Sequence, residues 1–317
     1  MNLWNFIYDQ LNADHKIILM IVVESYGSSP GRQGFKMAIS ETGEMSGSIG
    51  GGIMEYQMVE LAKKMFHQPF APFIKRQNHN KEAEKDQSGM ICSGHQVIAF
   101  YPLLPEKENK ILIRNIIDCL NNNCKQVLSI LPDKIDLKEK QQENQYESAI
   151  VNENTWEYHE RISYKNEIYI IGGGHVGLAF SQMMRFLDFY VHIVDNREDL
   201  NTMKQNNFAH QKHYIDYNKI DEFIPEGNNI YAVIMTHKHI SDKNVLKNLI
   251  RKDLKYLGLM GSKTKVKKIF EQLIGEGYTE EELQKVYSPI GIDIKSETPE
   301  EISVSIAAEI IKVKNKG

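Results

Sequence analysis

The residues with the clearest chemical potential are three glycines spaced as G-x-G-x-x-G. Gly172, Gly174 and Gly177 occur in IYIIGGGHVGLAFSQMM, directly after an apolar run and at the start of a helical pattern. In this spacing the first glycine permits a tight turn, the second lets the backbone approach pyrophosphate, and the third lets helix and strand pack closely. The start of the helix also offers N–H groups and a positive dipole end to phosphate. The motif predicts a nucleotide-binding loop. The alternative is a Rossmann fold that keeps the glycines for packing and binds no ligand.

Three polar residues accompany this loop. Asp195 ends the next predicted strand, where a carboxylate can accept hydrogen bonds from a ribose diol and so favours an NAD-like over an NADP-like ligand. Arg197 lies two residues later and weakens that preference. His175, inside the motif, either donates to phosphate or is simply an exposed residue at the helix start.

Two further polar loops follow later predicted strands of the same half. THKHISD supplies His237, His239 and Asp242, which could ligate a metal, transfer protons or be solvated loop residues. GSKTK places Ser262 and Lys263 at the start of a predicted helix, where they could meet a phosphate. Loops after strand ends line the binding crevice of open parallel sheets, so both are candidate site segments.

The N-terminal half contains two glycine-rich segments, GSSPGRQGFKM and SGSIGGGIMEY. Consecutive glycines before a helix can form an anion-binding nest, which nearby cations would reinforce. The alternative is that tight turns and close packing require these glycines. The candidate cofactor-binding residues here are Arg32, Lys36, Gly50, Gly51, Gly52 and Glu55.

The three cysteines are Cys92, Cys119 and Cys124. They cannot all pair within the chain and lack zinc-site spacing, which favours a reducing compartment. Cys92, in MICSGH before a predicted strand, is either a thiolate ligand or sulfur carrier, or a small buried residue. Cys119 and Cys124 are interpreted as structural.

Length and composition limit the class of protein. A chain of 317 residues predicts two domains, and the charged fraction of 25% is ordinary for a globular protein. The net charge of −4 argues against a nucleic-acid surface. No apolar run reaches the ~18–20 residues of a membrane span, so we expect a soluble, cytoplasmic protein.

The order of apolar runs predicts an α/β fold with a boundary near residue 164. Residues 1–164 show mixed strands and helices, with a polar stretch at 75–88 that suggests a mobile loop. Residues 165–317 alternate strand and helix, which indicates a Rossmann-like, doubly wound parallel sheet.

Taken in order, these motifs resemble the XdhC/CoxI family of accessory proteins for molybdenum hydroxylases. The resemblance is carried by GSSPGRQGFKM, GSIGGGIME, IIGGGHVG, VDNR, THKHISD, YLGLMGSKTK and PIGIDIKSETPEEISVSIAAEII. The family typically has Cys-Gly-Gly where this chain has Cys92-Ser93-Gly94, so the role of the cysteine does not carry over directly.

The resemblance implies a function and its partners. It implies that the chain binds the molybdenum cofactor, a molybdopterin, and assists its sulfuration and insertion into a xanthine dehydrogenase-like client. Cys92 would then lie near the molybdenum or the sulfur in transit. A cysteine desulfurase is a further expected partner, and for a cofactor protein of this size we also expect a homodimer. The alternative functions are an NAD(P)-dependent oxidoreductase with His237 or His239 as acid/base, and a non-catalytic partner-binding protein.

Overall fold

The computed structural model describes residues 3–68, 70–78, 94–142 and 144–316. The chain divides into two compact units, Met1–Ser163 and Tyr164–Gly317. No helix among the described residues combines the length and the apolar composition needed to cross a bilayer.

A five-stranded antiparallel sheet forms the centre of the N-terminal unit. Its spatial order is β3-β2-β1-β5-β4. The strands are β1 (Ile17–Tyr26), β2 (Lys36–Ser40), β3 (Met45–Gly47), β4 (Phe73–Asn78) and β5 (His95–Leu103). The apolar run of β1 is continuous because this central strand is buried on both faces: Ile18 and Met20 join one core, and Ile17 and Leu19 the other.

Among the described residues of this unit, a second antiparallel sheet and three helices accompany the first sheet. The sheet has the order β7-β6-β9-β8, with strands β6 (Gln126–Leu131), β7 (Lys134–Lys138), β8 (Tyr146–Asn152) and β9 (Thr155–Ile162). The helices are α1 (Leu3–Asn12), α2 (Gly52–Met65) and α3 (Lys107–Asn122). Helix α2 packs on one face of the first sheet, whereas α1, α3 and the second sheet share the core on the other.

Two expectations for this unit need correction. The stretch predicted as a loop from residue 75 begins inside strand β4, which pairs with β5; residues 79–93 lie outside the described residues. Cys119 and Cys124, interpreted from the sequence only as structural, form a disulfide that was not predicted. The left-handed turn at Asn123, which ends α3, reverses the chain and brings the two Cα atoms to 4.9 Å.

The C-terminal unit is built on a five-stranded parallel sheet. Its order is β12-β11-β10-β13-β14. The strands are β10 (Asn166–Ile171), β11 (Phe189–Asp195), β12 (Gln211–Tyr214), β13 (Gly227–Ile234) and β14 (Leu254–Leu259). Chain order reverses at β10, so the crevice between the carboxyl ends of β10 and β13 is the expected ligand position.

Helices cover both faces of this sheet, which confirms the predicted doubly wound α/β fold. They are α4 (His175–Phe186), α5 (Asn201–Gln205), α6 (Ile220–Phe223), α7 (His239–Leu249), α8 (Lys263–Gly275), α9 (Glu280–Gln284) and α10 (Pro299–Lys314). Helices α4 and α10 share one core with the sheet, and α7 and α8 share the other. Thr298 and Glu301 form a capping box at the start of α10.

Candidate functional site

The G-x-G-x-x-G loop connects β10 to α4, and its three glycines have different structural reasons. Gly172 has a φ of +126°, and a Cβ there would lie 2.3 Å from the Met235 carbonyl oxygen. A Cβ at Gly177 would lie 2.1 Å from the carbonyl oxygen of Gly172. At Gly174 a Cβ would meet no heavy atom of the described chain within 4 Å. Gly172 and Gly177 therefore serve the turn and the packing, whereas the space at Gly174 opens outward.

That space belongs to a cleft of 810 Å³ at the carboxyl ends of the strands. The glycine loop and the start of α4, including the exposed His175, form one side. The segment after β11 adds Arg197, and the segment after β13 adds His237. Amide donors, the positive end of α4 and a guanidinium thus converge on one concave surface, which is a suitable environment for phosphate.

Asp195 ends β11 but is directed into the protein rather than into the cleft. It is fully buried, and its Oδ2 accepts hydrogen bonds from the Gly173 N–H and Arg197 Nη2, both at 2.8 Å. Its Oδ1 accepts from the N–H of Arg197 at 3.0 Å and from Nε at 2.8 Å. Burial raises the pKa of this carboxyl, but these hydrogen bonds outweigh that effect and hold the pKa below its usual value. The contact of Asp195 with a ribose diol stays a prediction. It would require Asp195 to give up some of these hydrogen bonds.

The THKHISD loop separates its predicted site residues. His237 lines the cleft, whereas His239 is exposed at the first position of α7. Asp242 is fully buried and accepts from the N–H and the hydroxyl of Thr236, at 2.9 and 2.6 Å. Its other oxygen forms an ion pair with Lys265. Asp242 therefore holds the loop after β13 against the start of α8.

The metal alternative for this loop is not supported. Within the described part of the chain, no group of three His, Cys, Asp or Glu side chains is placed to hold a metal ion.

Ser262 caps α8 by accepting from the Lys265 N–H at 3.2 Å. Ser262 and Lys263 are exposed and lie two and three residues beyond Met260, which lines the cleft.

The glycine-rich loop before α2 binds a carboxylate of the protein itself. Glu55 Oε2 accepts hydrogen bonds from the Ile49 N–H at 2.8 Å, the Gly51 N–H at 3.0 Å and the Ser48 hydroxyl at 2.7 Å. Burial raises the pKa of Glu55, but these hydrogen bonds hold it below its usual value of 4.5. The predicted nest is thus filled by Glu55, and an external anion would have to displace it.

The two cations predicted beside this loop differ in exposure. Lys36 forms an ion pair with Glu160 at 2.6 Å, and each side chain is only 10% exposed. Lys36 also donates to the Gly34 carbonyl at 2.8 Å. Arg32 is exposed. The predicted contact of Lys36 with a cofactor would require it to leave the buried carboxylate.

Sequence reasoning missed Gln96, which joins the two N-terminal glycine loops. This fully buried side chain accepts from the Gly31 N–H at 3.1 Å and the Ser29 hydroxyl at 2.9 Å. Its Nε2 donates to the Ile49 carbonyl at 3.3 Å. A polar residue within the apolar strand HQVIAFYPL was the available signal. Cys92 lies outside the described residues, and its predicted role stays a prediction.

Comparison with known proteins assigns both units to one family. Residues 168–310 match the model described as the XdhC Rossmann domain, and residues 10–69 match that of the XdhC and CoxI family. Over 295 residues the chain is 24% identical to the uncharacterized protein YqeB of Escherichia coli, covering 93% of this chain but 43% of YqeB. Over 331 residues it is 23% identical to a probable xanthine dehydrogenase subunit of Bacillus subtilis, covering 96% of each.

A solved structure shares the fold. It is a crystal structure of a xanthine dehydrogenase from Bacillus halodurans, with a TM-score of 0.69 and 20% sequence identity, covering all of this chain and 96% of the other. The order of motifs, the Rossmann unit and the two family matches agree. The chain belongs to the XdhC/CoxI family.

Proposed function

We propose that this protein is an accessory factor for a xanthine dehydrogenase-type molybdenum hydroxylase. In this role it binds the molybdenum cofactor and assists its sulfuration and insertion into the client. Membership of the XdhC/CoxI family and the similarity to the Bacillus subtilis protein support the link to such an enzyme. A cysteine desulfurase and a second copy of the chain are proposed partners of the same step.

The observation that carries this proposal is the phosphate-competent cleft of the C-terminal unit. Molybdopterin bears a phosphate or a nucleotide, and its anionic end would be held by the amides at the start of α4, by Arg197 and by His175, because the amides of Gly172 and Gly173 already donate to Val194 and Asp195. The cofactor, when bound, supplies the molybdenum centre that receives sulfur and passes to the client. His237 would orient the ligand or exchange a proton with it from the loop after β13.

The N-terminal donors fit an external anion less well. Both Lys36 and Arg197 pair with a carboxylate, but the Lys36 side chain is only 10% exposed, whereas that of Arg197 is 35% exposed and lines the cleft. The amides of the N-terminal loop are occupied by Glu55. The Glu55 carboxylate already in the nest would repel a second anion. We therefore assign the phosphate end of the cofactor to the C-terminal cleft rather than to the N-terminal loops.

An NAD(P)-dependent oxidoreductase is the second candidate, because His237 in a Rossmann cleft can act as an acid or base beside a nicotinamide. Hydride transfer would change the near-ultraviolet absorbance of reduced nicotinamide when a carbonyl or alcohol is added. A substrate-dependent change would favour this candidate, and its absence across a broad panel would favour the accessory function.

The substitution Gly174→Ala tests the accessory function, because its methyl group meets no atom of the described chain. We expect the variant to fold normally but to retain at least about tenfold less molybdenum cofactor, since backbone and ligand can no longer approach closely. Retention is measured by cofactor fluorescence after gel filtration. Transfer is measured as activation of a cofactor-free xanthine dehydrogenase-type enzyme.

Gly275→Ala is the matched control, because it also adds a methyl group in open space but lies at the end of α8, outside the cleft lining. It should retain and transfer the cofactor like the natural protein. Cofactor retention by Gly174→Ala at the level of this control would remove the cleft from the proposed function.

A further inference from the structure

The acceptor capacity of Asp195 is fully used within the protein. A carboxylate has about four lone-pair sites, and Asp195 accepts two hydrogen bonds on each oxygen. Its side chain has no exposed surface. A ribose diol must donate its hydroxyl hydrogens to such a carboxylate, so this residue cannot recognise a diol in the arrangement described.

Arg197 lines the cleft and has N–H groups that do not donate to Asp195. Its Nε and Nη2 each donate one hydrogen bond to Asp195, which leaves the N–H groups of Nη1 and the second N–H of Nη2. The side chain is 35% exposed and lines the cleft. The bidentate contact with Asp195 holds the guanidinium plane in place, which lowers the entropy cost of binding a ligand.

We infer that this cleft selects a ligand that carries a phosphate monoester, and that Arg197 is the selecting residue. The monoester would lie where dinucleotide-binding Rossmann domains hold the ribose diol. A planar guanidinium pairs with phosphate through two charge-assisted hydrogen bonds, whereas a neutral hydroxyl gains only an ordinary one. The inference rests on the proposed anion-binding role of the cleft. It names the chemical class of the ligand and reverses the NAD-like preference predicted from Asp195 alone.

NADP⁺ and NAD⁺ are suitable probes, because they differ only by a phosphate monoester on the ribose. Calorimetric titration of the purified full chain should show NADP⁺ binding about 10- to 100-fold more tightly than NAD⁺, the range expected for hydrogen bonds to a charged group. Increasing salt should reduce the preference, because it screens the partly exposed guanidinium.

Substitution of Arg197 should remove the selection. In Arg197→Ala we expect the preference to fall below about twofold, and NAD⁺ to bind no more weakly than before, because two acceptor sites on Asp195 become available. Asp195 keeps two backbone donors in this variant, so the fold should persist, which thermal unfolding checks. Arg197→Lys keeps the charge without the fork and should retain part of the preference.

Arg251→Ala is the control, because Arg251 forms an exposed ion pair with Glu282 and does not line the cleft. It should leave both affinities unchanged. Equal affinities for the two probes in the natural protein, a preference that survives in Arg197→Ala, or no binding of either probe at millimolar concentration would each overturn the inference.

Failure of this inference is distinguishable from failure of the proposed function. Cofactor retention that is sensitive to Gly174→Ala, without any preference for NADP⁺, would leave the accessory role standing and reject the phosphate selection. A preference that depends on Arg197, without retention of the molybdenum cofactor, would support the selection and reject the accessory role.

Discussion

At the residue scale, the ion pair between Lys36 and Glu160 shows how a sequence candidate for ligand binding is used in the fold. The two residues are 124 positions apart, and each side chain is only 10% exposed to solvent. The hydroxyl of Tyr158 also donates to Glu160, at 3.1 Å. Removing one partner would leave a buried charge without compensation, which is far more costly than losing an exposed ion pair.

We therefore predict that Lys36→Met lowers the free energy of unfolding by about 3–5 kcal/mol. Lys63→Met is the control, because its ion pair with Glu60 on α2 is exposed, and it should change stability far less than Lys36→Met does. Denaturant titration measures both. If Lys36→Met instead keeps full stability but loses the proposed binding of the molybdenum cofactor, Lys36 is a ligand-binding residue.

At the scale of elements, the loop between β3 and α2 depends on the helix that follows it. Glu55, in the first turn of α2, accepts hydrogen bonds from two loop amides and one hydroxyl. The loop packs against the preceding glycine segment so closely that a Cβ at Gly50 would lie 2.6 Å from the Gly31 nitrogen. One carboxylate and one close contact thus determine the conformation of a segment that resembles a ligand-binding nest.

The corresponding prediction concerns Glu55→Gln, which should lower the free energy of unfolding at pH 7 by about 1–3 kcal/mol. The loop would then donate its hydrogen bonds to a neutral amide oxygen instead of a charged carboxylate. The folded-state pKa of Glu55 lies below 4.5, so its contribution is present above pH 4.5 and is lost as the pH falls through the folded-state value. Thermal unfolding of both proteins between about pH 7 and pH 3 should therefore converge at low pH.

The control for this prediction is Glu60→Gln on the exposed surface of the same helix, which should change stability by less than about 1 kcal/mol. A constant stability difference between Glu55→Gln and the natural protein across this pH range would show that the charge of Glu55 does not stabilise the loop.

At the scale of the whole molecule, two partly buried histidines give the C-terminal unit a dependence on pH. Burial, with smaller contributions from nearby positive charge, lowers the pKa of His210 to about 3 and that of His213 to about 4. His210 Nδ1 accepts a hydrogen bond from the Val191 N–H, which requires that nitrogen to be unprotonated. His213 lies 3.1 Å from His192 between their ring nitrogens.

Both histidines are neutral in the folded state but charge in the unfolded chain below its usual pKa of 6.5. The unfolded state then binds more protons, so stability should fall as the pH drops from about 6.5 towards 4, by at most about 1.4 kcal/mol per pH unit for each histidine. Denaturant unfolding at a series of pH values measures this slope.

His213→Gln should flatten that slope, because it removes one of the two groups. His239→Gln, which alters an exposed histidine of the same unit, should leave it unchanged. A slope that is the same in all three proteins would show that His213 does not contribute to the acid sensitivity of the unit.

The amino-acid sequence by itself determined the fold class and the family. The period of its apolar residues indicated the alternating strands and helices after residue 165, and the glycine spacing located the turn between β10 and α4. These features are local, because a turn, a helix start and a strand each depend on residues close together in the chain. The ordered motifs identified the XdhC/CoxI family for the same reason, since each motif is contiguous.

Only the tertiary structure decided which candidate side chains remain available to a ligand. Glu160 neutralises Lys36, Glu55 fills the glycine nest, and Arg197 and Gly173 together saturate Asp195. The disulfide between Cys119 and Cys124 was missed as well, because it depends on the left-handed conformation of Asn123, which the spacing of the cysteines does not reveal. A charged group is bound by whichever partner packing brings within about 3 Å, and residue types and spacing alone do not reveal that partner. The sequence therefore indicates which groups can bind an anion. The fold decides which of these groups are already paired with an anionic side chain of the protein itself.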